Sequence, residues 1–199
     1  MTKDEDGVGG YEWSPDGTRI AYVKTDPESK KDKTIKERYG AFGIEGEEYR
    51  QSHLWLLSFN YDSILLAGQL PCYASKDTAK TDSSKNPKQD CVSLPKASRL
   101  TEGDFTVSGF SWRPDGKSIA FNRQTDPLIN SSTTADIVLI DIATKNIQPL
   151  VNTPVGEFFG RWNPDGSAFV YSSSSADTTS FFYLNNRVFV YDMISGKST

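Results

Sequence analysis

Short apolar runs alternate with turn-forming residues along most of the chain. Three of these runs, at 20–23, 119–121 and 169–171, are apolar at consecutive positions rather than at alternate ones. A strand covered on both faces has this pattern, whereas a strand with one solvent face alternates apolar and polar residues. The runs therefore predict short strands that are packed between two other layers.

Each of these runs follows the same turn sequence, W-x-P-D-G. The three copies align without gaps as W-x-P-D-G-x-x-[IF]-[AV]-[YF] and begin at Trp13, Trp112 and Trp162. One copy would fit any hairpin, but repetition at this scale indicates an array of similar structural units. The inference therefore depends on the repeat and not on the motif alone.

The residue types of the motif suit a tight hairpin turn. Proline presets φ near −65°, aspartate accepts hydrogen bonds from nearby backbone N–H groups, and glycine supplies the positive φ at the exit. A calcium loop is the functional alternative for the aspartates, but their place between proline and glycine favours a structural turn. The predicted turn residues are Pro15, Asp16, Gly17, Pro114, Asp115, Gly116, Pro164, Asp165 and Gly166.

Two further strands follow the hairpin. Apolar runs at 53–57, 137–142 and 187–192 predict a third strand in each unit, and the segments 98–101 and 147–151 predict a fourth strand at the edge. Four antiparallel strands per unit form the blade of a β-propeller. The predicted fold class is therefore all-β, a partial β-propeller of about three four-stranded blades with W-x-P-D-G hairpin repeats.

The spacing of the motif divides the chain into blades. Trp112 and Trp162 are 50 residues apart, close to the ~40–50 residues typical of a blade, whereas Trp13 and Trp112 are 99 apart. Insertions explain the longer gap, and a degenerate blade between 61 and 95 is the alternative. The predicted bounds are 11–105 for blade 1 with insertions at 28–50 and 60–96, 106–151 for blade 2, and 156–199 for blade 3, which is incomplete because its fourth strand is missing.

Three blades are too few to close a ring. Closed propellers have about 4–8 blades, and an open stack leaves strand edges unpaired and prone to aggregation. We therefore expect this chain to be one piece of a longer polypeptide, or to be completed by another chain.

Composition and charge narrow the classes of partner. The net charge is −4 and the pI is about 5.1, whereas a nucleic-acid-binding protein normally has a basic surface. No apolar run approaches the roughly 20 residues of a membrane-spanning helix, and the first ten residues contain no apolar segment of a secretory signal. The sequence predicts a soluble protein without a nucleic-acid or membrane partner, and it favours the cytoplasm slightly over secretion.

The sequence offers no catalytic or metal-binding constellation. His53 is the single histidine, and its place beside Leu54 and Trp55 predicts a strand residue rather than a catalytic base or metal ligand. The G-x-S-x-G pentapeptide of α/β-hydrolases does not occur, and one histidine with two distant cysteines has no metal-ligand spacing. We therefore assign no catalytic, cofactor-binding or metal residue.

The two cysteines, Cys72 and Cys91, lie 19 positions apart in a polar segment. They are either two unrelated thiols or a disulfide that closes a long loop, which would stabilise the fold by on the order of 3 kcal/mol. A disulfide would imply an oxidising compartment. The sequence leaves both interpretations open.

The W-x-P-D-G units resemble the WD40-like PD40 repeats in propellers of the prolyl oligopeptidase clan of serine peptidases and in TolB-like periplasmic proteins. The first unit resembles the first blade of the acylaminoacyl-peptidase and dipeptidyl-peptidase members of that clan. The residues that carry this second resemblance are 25–28, 36–40 and 48–50, leading into 53–56.

The resemblance implies a non-catalytic segment of a serine hydrolase. In that family the propeller covers a C-terminal α/β-hydrolase domain with a Ser-Asp-His triad and admits peptides or acyl-peptides to it. The implied partners are the rest of the propeller, a hydrolase domain in the same or another chain, and the peptide substrate; no cofactor is implied. No catalytic residue carries over to this sequence, so its own status as an enzyme stays open. The alternatives are a TolB-like binding module without enzymatic activity and a WD40-type scaffold, whose Gly-His and Trp-Asp signature is missing here.

Overall fold

The computed structural model describes residues 7–40, 49–62, 96–174 and 186–199, and the strands among them form three four-stranded sheets. In each sheet the strands pair in chain order and every pair is antiparallel. The three sheets follow one another along the chain and pack face to face. This confirms the predicted partial β-propeller of three four-stranded blades.

The strand bounds are as follows. Blade 1 contains β1 (Tyr11–Trp13), β2 (Arg19–Thr25), β3 (Ser52–Ser58) and β4 (Ser98–Arg99). Blade 2 contains β5 (Thr106–Trp112), β6 (Ser118–Gln124), β7 (Asp136–Asp141) and β8 (Ile147–Val151). Blade 3 contains β9 (Glu157–Trp162), β10 (Ala168–Ser174), β11 (Asn186–Asp192) and β12 (Lys197–Ser198).

Two helical segments lie in connections between strands. Helix α1 (Lys30–Tyr39) lies within the first predicted insertion; the Ser29 hydroxyl accepts a hydrogen bond from the Asp32 N–H at its start, and Gly40 ends it at φ 85°. None of its residues is buried, so the helix forms a solvated face. A 3₁₀ helix (Ile129–Thr134) joins β6 to β7.

Blade 2 is covered on both faces, which explains the consecutive apolar residues of β6. Ile119 and Phe121 belong to the core shared with blade 1, whereas Ala120 belongs to the core shared with blade 3; all three are fully buried. Alternate strand residues point to opposite faces of a sheet, so both parities are apolar here. Full burial of a side chain such as Phe121 contributes roughly 1.5–3 kcal/mol.

Blade 3 has a fourth strand, and the expectation that it lacks one is wrong. Strand β12 pairs with the end of β11, with Ser198 opposite Tyr191. The chain reverses at Gly196, whose φ is 66° and whose N–H donates to the Asp192 carbonyl at 2.9 Å. A two-residue strand behind such a turn has no apolar run, so the hydrophobic pattern does not reveal it.

Some sequence-based expectations fall outside the described residues. Cys72, Cys91 and most of the insertion at 60–96 lie there, as does nearly all of the segment 61–95 that would hold a degenerate blade. Both interpretations of the cysteines and the alternative of a hidden blade therefore stay as stated above.

Candidate functional site

The three Pro-Asp-Gly sequences lie at the turns that join the first two strands of each blade. In each turn the glycine N–H donates to the carbonyl of the residue three positions earlier, at 2.9–3.1 Å, and the glycine φ is 66–71°. A side chain is strained at such a φ. The residues at these turns are Pro15, Asp16, Gly17, Pro114, Asp115, Gly116, Pro164, Asp165 and Gly166.

The turn aspartates are occupied within their own turns. Asp16, Asp115 and Asp165 each accept a hydrogen bond from the backbone N–H two residues later, at 3.0, 2.9 and 2.8 Å. The Ser14 hydroxyl also donates to Asp16 at 2.5 Å, and this bond is the main reason that the pKa of Asp16 falls to about 2. The Ser167 side chain lowers the pKa of Asp165 in the same way.

The turns of blades 1 and 2 contact each other through an arginine. Nη2 of Arg19 donates to the Gly116 carbonyl at 2.8 Å, and the guanidinium lies 5.2 Å from the centre of the Trp112 ring. The same Nη2 lies 3.8 Å from Oδ2 of Asp16 in its own turn. A methyl group on Gly116 would lie 3.7 Å from Cδ of Pro15, so the two turns are in close contact. We call this arrangement the turn-to-turn joint.

Blades 2 and 3 form the same turn-to-turn joint. Nε of Arg113 donates to the Gly166 carbonyl at 3.2 Å, and the guanidinium lies 5.8 Å from the centre of the Trp162 ring. Nη1 of Arg113 lies 3.5 Å from Oδ2 of Asp115. A methyl group on Gly166 would lie 3.3 Å from Cδ of Pro114. Each joint thus combines a hydrogen bond with a cation–π contact, whose usual limit is about 6 Å.

The arginine comes from either member of the residue pair that closes the turn. In blade 1 the Ser14 N–H donates to the Arg19 carbonyl at 2.8 Å, and in blade 2 the Arg113 N–H donates to the Ser118 carbonyl at 2.9 Å. The other member of the pair is serine in both blades. Sequence reasoning missed the joint because neither arginine position repeats; the signal appears only when the two positions are considered as a pair.

A carboxylate forms a second link between blades 1 and 2. Oε2 of Glu12 accepts a hydrogen bond from the Trp112 N–H at 3.2 Å, Oε1 accepts one from the Ser111 hydroxyl at 3.3 Å, and the Trp112 indole donates to the Glu12 carbonyl at 3.3 Å. Burial raises the pKa of Glu12 above its usual value. No pattern in the sequence predicts this contact.

His53 is fully buried at the start of β3. Its Nδ1 lies 3.2 Å from Oγ1 of Thr101, and its Nε2 lies 3.6 Å from Oδ2 of Asp26, which also binds Arg99 at 3.0 Å. Desolvation lowers the pKa of His53, so the imidazole is neutral at pH 7. A general base must reach the proton that it removes, and this enclosed position offers no surface to a substrate. The contacts instead connect β3 to the segments after β2 and β4.

Glu157 lies fully buried between blades 2 and 3. Oε1 accepts hydrogen bonds from the N–H of Thr153, at 3.1 Å, and from its hydroxyl, whereas Oε2 is buried with no hydrogen-bond partner in the described part of the chain. The Glu157 carbonyl accepts a bond from Nδ2 of Asn122 at 2.7 Å. Burial, together with the charge of Asp136, raises the pKa of Glu157.

The face of blade 3 that points away from blade 2 carries exposed apolar side chains. Val188 occupies the strand position of Leu54 in blade 1 and Ile137 in blade 2, as the pairing registers show. Leu54 and Ile137 are 0% exposed, whereas Val188 is 74% exposed. Val170 and Val190 on the same face are 40% and 42% exposed. This face has the side chains of a blade interface, and no further blade of the described residues covers it.

Two further observations concern the kinds of site present. Within residues 7–40, 49–62, 96–174 and 186–199, no group of three or more histidine, cysteine, aspartate or glutamate side chains is arranged to hold a metal ion. The helices in those ranges include none that is both long and apolar enough to cross a membrane.

Comparison with known proteins supports the fold and suggests relatives. No family model matches the chain. In sequence, the chain is 23% identical to dipeptidyl-peptidase 5 of Porphyromonas gingivalis, over 97% of this chain and 27% of that protein. In structure, it is similar to TolB from Acinetobacter baumannii, with a TM-score of 0.50, 17% identity, and coverage of 98% of this chain and 32% of that one.

A second TolB structure gives the same result. The protein assigned as TolB from Agrobacterium tumefaciens has a TM-score of 0.52 and 19% identity, and the match covers 100% of this chain and 50% of that one. At these identities the structural similarity shows the propeller fold alone. The chain spans half or less of the length of each of these three proteins.

Proposed function

We propose that this chain is the non-catalytic β-propeller segment of an oligopeptidase-type serine hydrolase. In that role it gates the access of peptides or acyl-peptides to a hydrolase domain that lies outside this chain. The far face of blade 3 carries the part of the proposal that continues the propeller, because Val188 is exposed where Leu54 and Ile137 are buried. The similarity to dipeptidyl-peptidase 5, a protein about four times as long, supports it.

Blades that stack in this way can form a gate that selects substrates by their size. Blade 2 is buried on both faces. The turn-to-turn joints connect each blade to the next at the turn between its first two strands. A ring of blades stacked in this way leaves a central channel. Short peptides pass such a channel in extended form, whereas a folded protein does not.

A TolB-like binding module is the second candidate function. It is favoured by the structural similarity to two TolB chains at TM-scores of 0.50 and 0.52. In that case the propeller would act as a binding module, and the protein that contains it would have no hydrolase activity. The two candidates therefore differ in a property that can be measured directly.

The test is the intact mass of the natural protein, combined with hydrolysis of an acylated and a dipeptidyl chromogenic peptide. A mass several-fold above 22.1 kDa with hydrolysis of either substrate supports the gating function. A protein without hydrolysis that also fails to react with a fluorophosphonate probe for active serines overturns it and favours the binding module. The 199-residue chain alone, assayed in parallel, is the control and should hydrolyse neither substrate.

The gating step itself requires a second measurement. Peptides with the same cleavable end but increasing length are compared for kcat/KM, with a compact folded domain that carries the same end as the largest member. A steep fall for the folded substrate supports a gate. Equal kcat/KM across the series contradicts it, even if the protein is a serine hydrolase.

A further inference from the structure

Blade 1 carries the receiving half of a turn-to-turn joint, the tryptophan ring and the glycine carbonyl, and among the described residues no arginine is bound to it. Trp13 is 46% exposed, whereas the corresponding Trp112 and Trp162 are 4% and 7% exposed beneath their arginines. A methyl group on Gly17 would have no atom within 4 Å, and no backbone N–H of the described residues donates a hydrogen bond to the Gly17 carbonyl. The Trp13 ring does contact Phe59 of its own blade edge-on, with centroids 4.8 Å apart.

The backbone of this receiving half already has the conformation of the occupied ones. The φ of Gly17 is 69°, against 66° and 71° for the two glycines whose carbonyls bind an arginine. Trp13 pairs with Ile20 in the register that Trp112 and Trp162 keep with their own second strands. The carbonyl and the ring therefore stand in the same relation to each other as in blades 2 and 3.

Blade 3 cannot supply the missing arginine. The pair that closes its turn consists of Asn163 and Ala168, with the Asn163 N–H donating to the Ala168 carbonyl at 2.9 Å. The Asn163 amide is used within the turn, where Nδ2 donates to the Ser167 hydroxyl at 2.9 Å and Oδ1 accepts from the Ala168 N–H at 3.0 Å. Blade 3 therefore contributes no guanidinium to a neighbour at this level.

We propose that Trp13 and Gly17 bind the arginine of a further propeller blade that lies outside this chain. The occupant is a hairpin turn with arginine at one of the two turn-closing positions, so that its guanidinium overlies Trp13 and donates to the Gly17 carbonyl. This inference shares one premise with the proposed function, namely that the propeller continues beyond these three blades. It adds that the neighbouring blade lies beside blade 1 and carries an arginine at a turn-closing position.

A second copy of this chain is not the occupant. If two copies joined head to tail into a six-bladed ring, blade 3 of one copy would meet blade 1 of the other. The turn-closing residues of that blade 3 are Asn163 and Ala168, so Trp13 and Gly17 would stay without an arginine in both junctions. The repeated chemistry of the two occupied joints therefore favours a different blade.

The test is photo-crosslinking in the protein as it occurs in its native cells. The photoreactive amino acid p-benzoylphenylalanine replaces Trp13, and the crosslinked peptides are identified by mass spectrometry. A crosslink to a hairpin outside this sequence, with arginine at a turn-closing position, supports the proposal. A crosslink to residues 157–199 of a second copy, to a hairpin without arginine, or to nothing above the control overturns it. The same probe at Tyr61, which is 63% exposed beyond β3, is the control.

A double-mutant cycle covers the case in which the probe disturbs folding. Trp13→Leu and the change of the identified arginine to methionine are compared, singly and together, by the unfolding equilibrium constant of the intact protein. We expect the two effects to be non-additive by at least about threefold, and additive effects overturn the proposal. Neither readout uses hydrolysis, so the two proposals can fail separately. If the protein has no hydrolase activity but Trp13 crosslinks to an arginine hairpin, the gating function is overturned and this inference is supported.

Discussion

Leu54 and Val188 occupy the same position in the blade repeat, but their surroundings differ completely. Leu54 is 0% exposed in the core between blades 1 and 2, whereas Val188 is 74% exposed on the far face of blade 3. Both lie in the third strand and both point toward the following blade. The sequence keeps an apolar residue at a position that only a neighbouring blade would bury, and this contrast separates a blade within a ring from a blade at the edge of a stack.

The variant Val188→Asp should affect stability only when that neighbour is present. In the 199-residue chain the side chain is exposed, so we expect a change within about 0.5 kcal/mol. In the longer protein implied by the proposed function, the same change buries an unpaired carboxylate, and we expect a loss of about 2 kcal/mol or more. Urea unfolding of both proteins measures the difference. Ile194→Asp, at a turn residue that is 88% exposed, is the matched control and should not change the stability of either protein. Equal effects of Val188→Asp in the two proteins would contradict a neighbouring blade.

Replacing Gly116 with valine should destabilise the fold by about 1–3 kcal/mol, because a β-branched residue is strained at a φ of 66°. Thermal and urea unfolding of the chain measure the loss. Gly17→Val provides a comparison at nearly the same φ, 69°, but with open space around it. An unchanged melting temperature for Gly116→Val would refute the turn assignment. A larger loss for Gly116→Val than for Gly17→Val would report the contact with Pro15.

Arg113 and Trp162 should show energetic coupling across the boundary between blades 2 and 3. Their cation–π contact is partly exposed, so we expect a coupling of about 0.5–1 kcal/mol in a double-mutant cycle of Arg113→Met and Trp162→Leu. Unfolding by urea provides the four free energies. Arg161→Met, which removes an exposed arginine of the same blade edge, is the control and should show no coupling to Trp162→Leu. A zero value for the Arg113 cycle would show that the ring contact contributes nothing.

Glu157→Gln should alter the pH dependence of stability. Burial raises the pKa of Glu157 in the folded chain above its usual value of 4.5. The unfolded chain therefore loses this proton at lower pH than the folded chain does, so the stabilising contribution is present below pH 4.5 and is lost as pH rises through the folded pKa. We expect the free energy of unfolding of the wild type to fall more than that of Glu157→Gln between about pH 4.5 and 7.5. Urea unfolding across that range checks it, with the exposed Glu102→Gln as control; parallel curves for wild type and Glu157→Gln would contradict the burial argument.

Replacing His53 with alanine should lower stability but leave catalysis in the intact protein nearly unchanged. The side chain is 0% exposed, so its loss leaves a cavity and removes its contact with Thr101. Loss of a general base typically costs about 10²–10⁴ in rate, whereas we expect kcat/KM per folded molecule to stay within about threefold. Chromogenic peptide hydrolysis, normalised to the folded fraction from circular dichroism, is the measurement. A loss of orders of magnitude at full folding would assign His53 a chemical role.

The three blades could be predicted from the sequence because each blade repeats the same turn motif and the same apolar strand pattern. Pro114, Asp115 and Gly116 define a turn from their own backbone preferences, and the apolar run at 119–121 defines a strand covered on both faces. Repetition of this unit at Trp13, Trp112 and Trp162 then gives the order of the sheets. Short-range rules of this kind are readable from sequence because they involve residues within one hairpin.

The contacts between blades could not be predicted, because they join residues that are far apart and follow no fixed position. Glu12 binds Trp112 across the first interface, and nothing in the residues around Glu12 marks it as a buried acceptor. Strand β12 is two residues long and polar, so it forms only where Tyr191 and Asp192 offer a paired edge. Burial and partner geometry decide these features, and neither is encoded in a local pattern.

The exchange of serine and arginine between the two turn-closing positions has a consequence for how such repeats are compared. A residue-by-residue alignment of blades 1 and 2 sets Ser14 against Arg113 and Arg19 against Ser118. It counts two mismatches, although each blade makes the equivalent arginine contact with the blade that follows it. The double exchange Ser14→Arg with Arg19→Ser would keep one guanidinium beside Gly116, whereas Arg19→Ser alone would leave none. Repeats of this kind can therefore drift in sequence by compensating exchanges while the shape of the assembled stack is inherited unchanged.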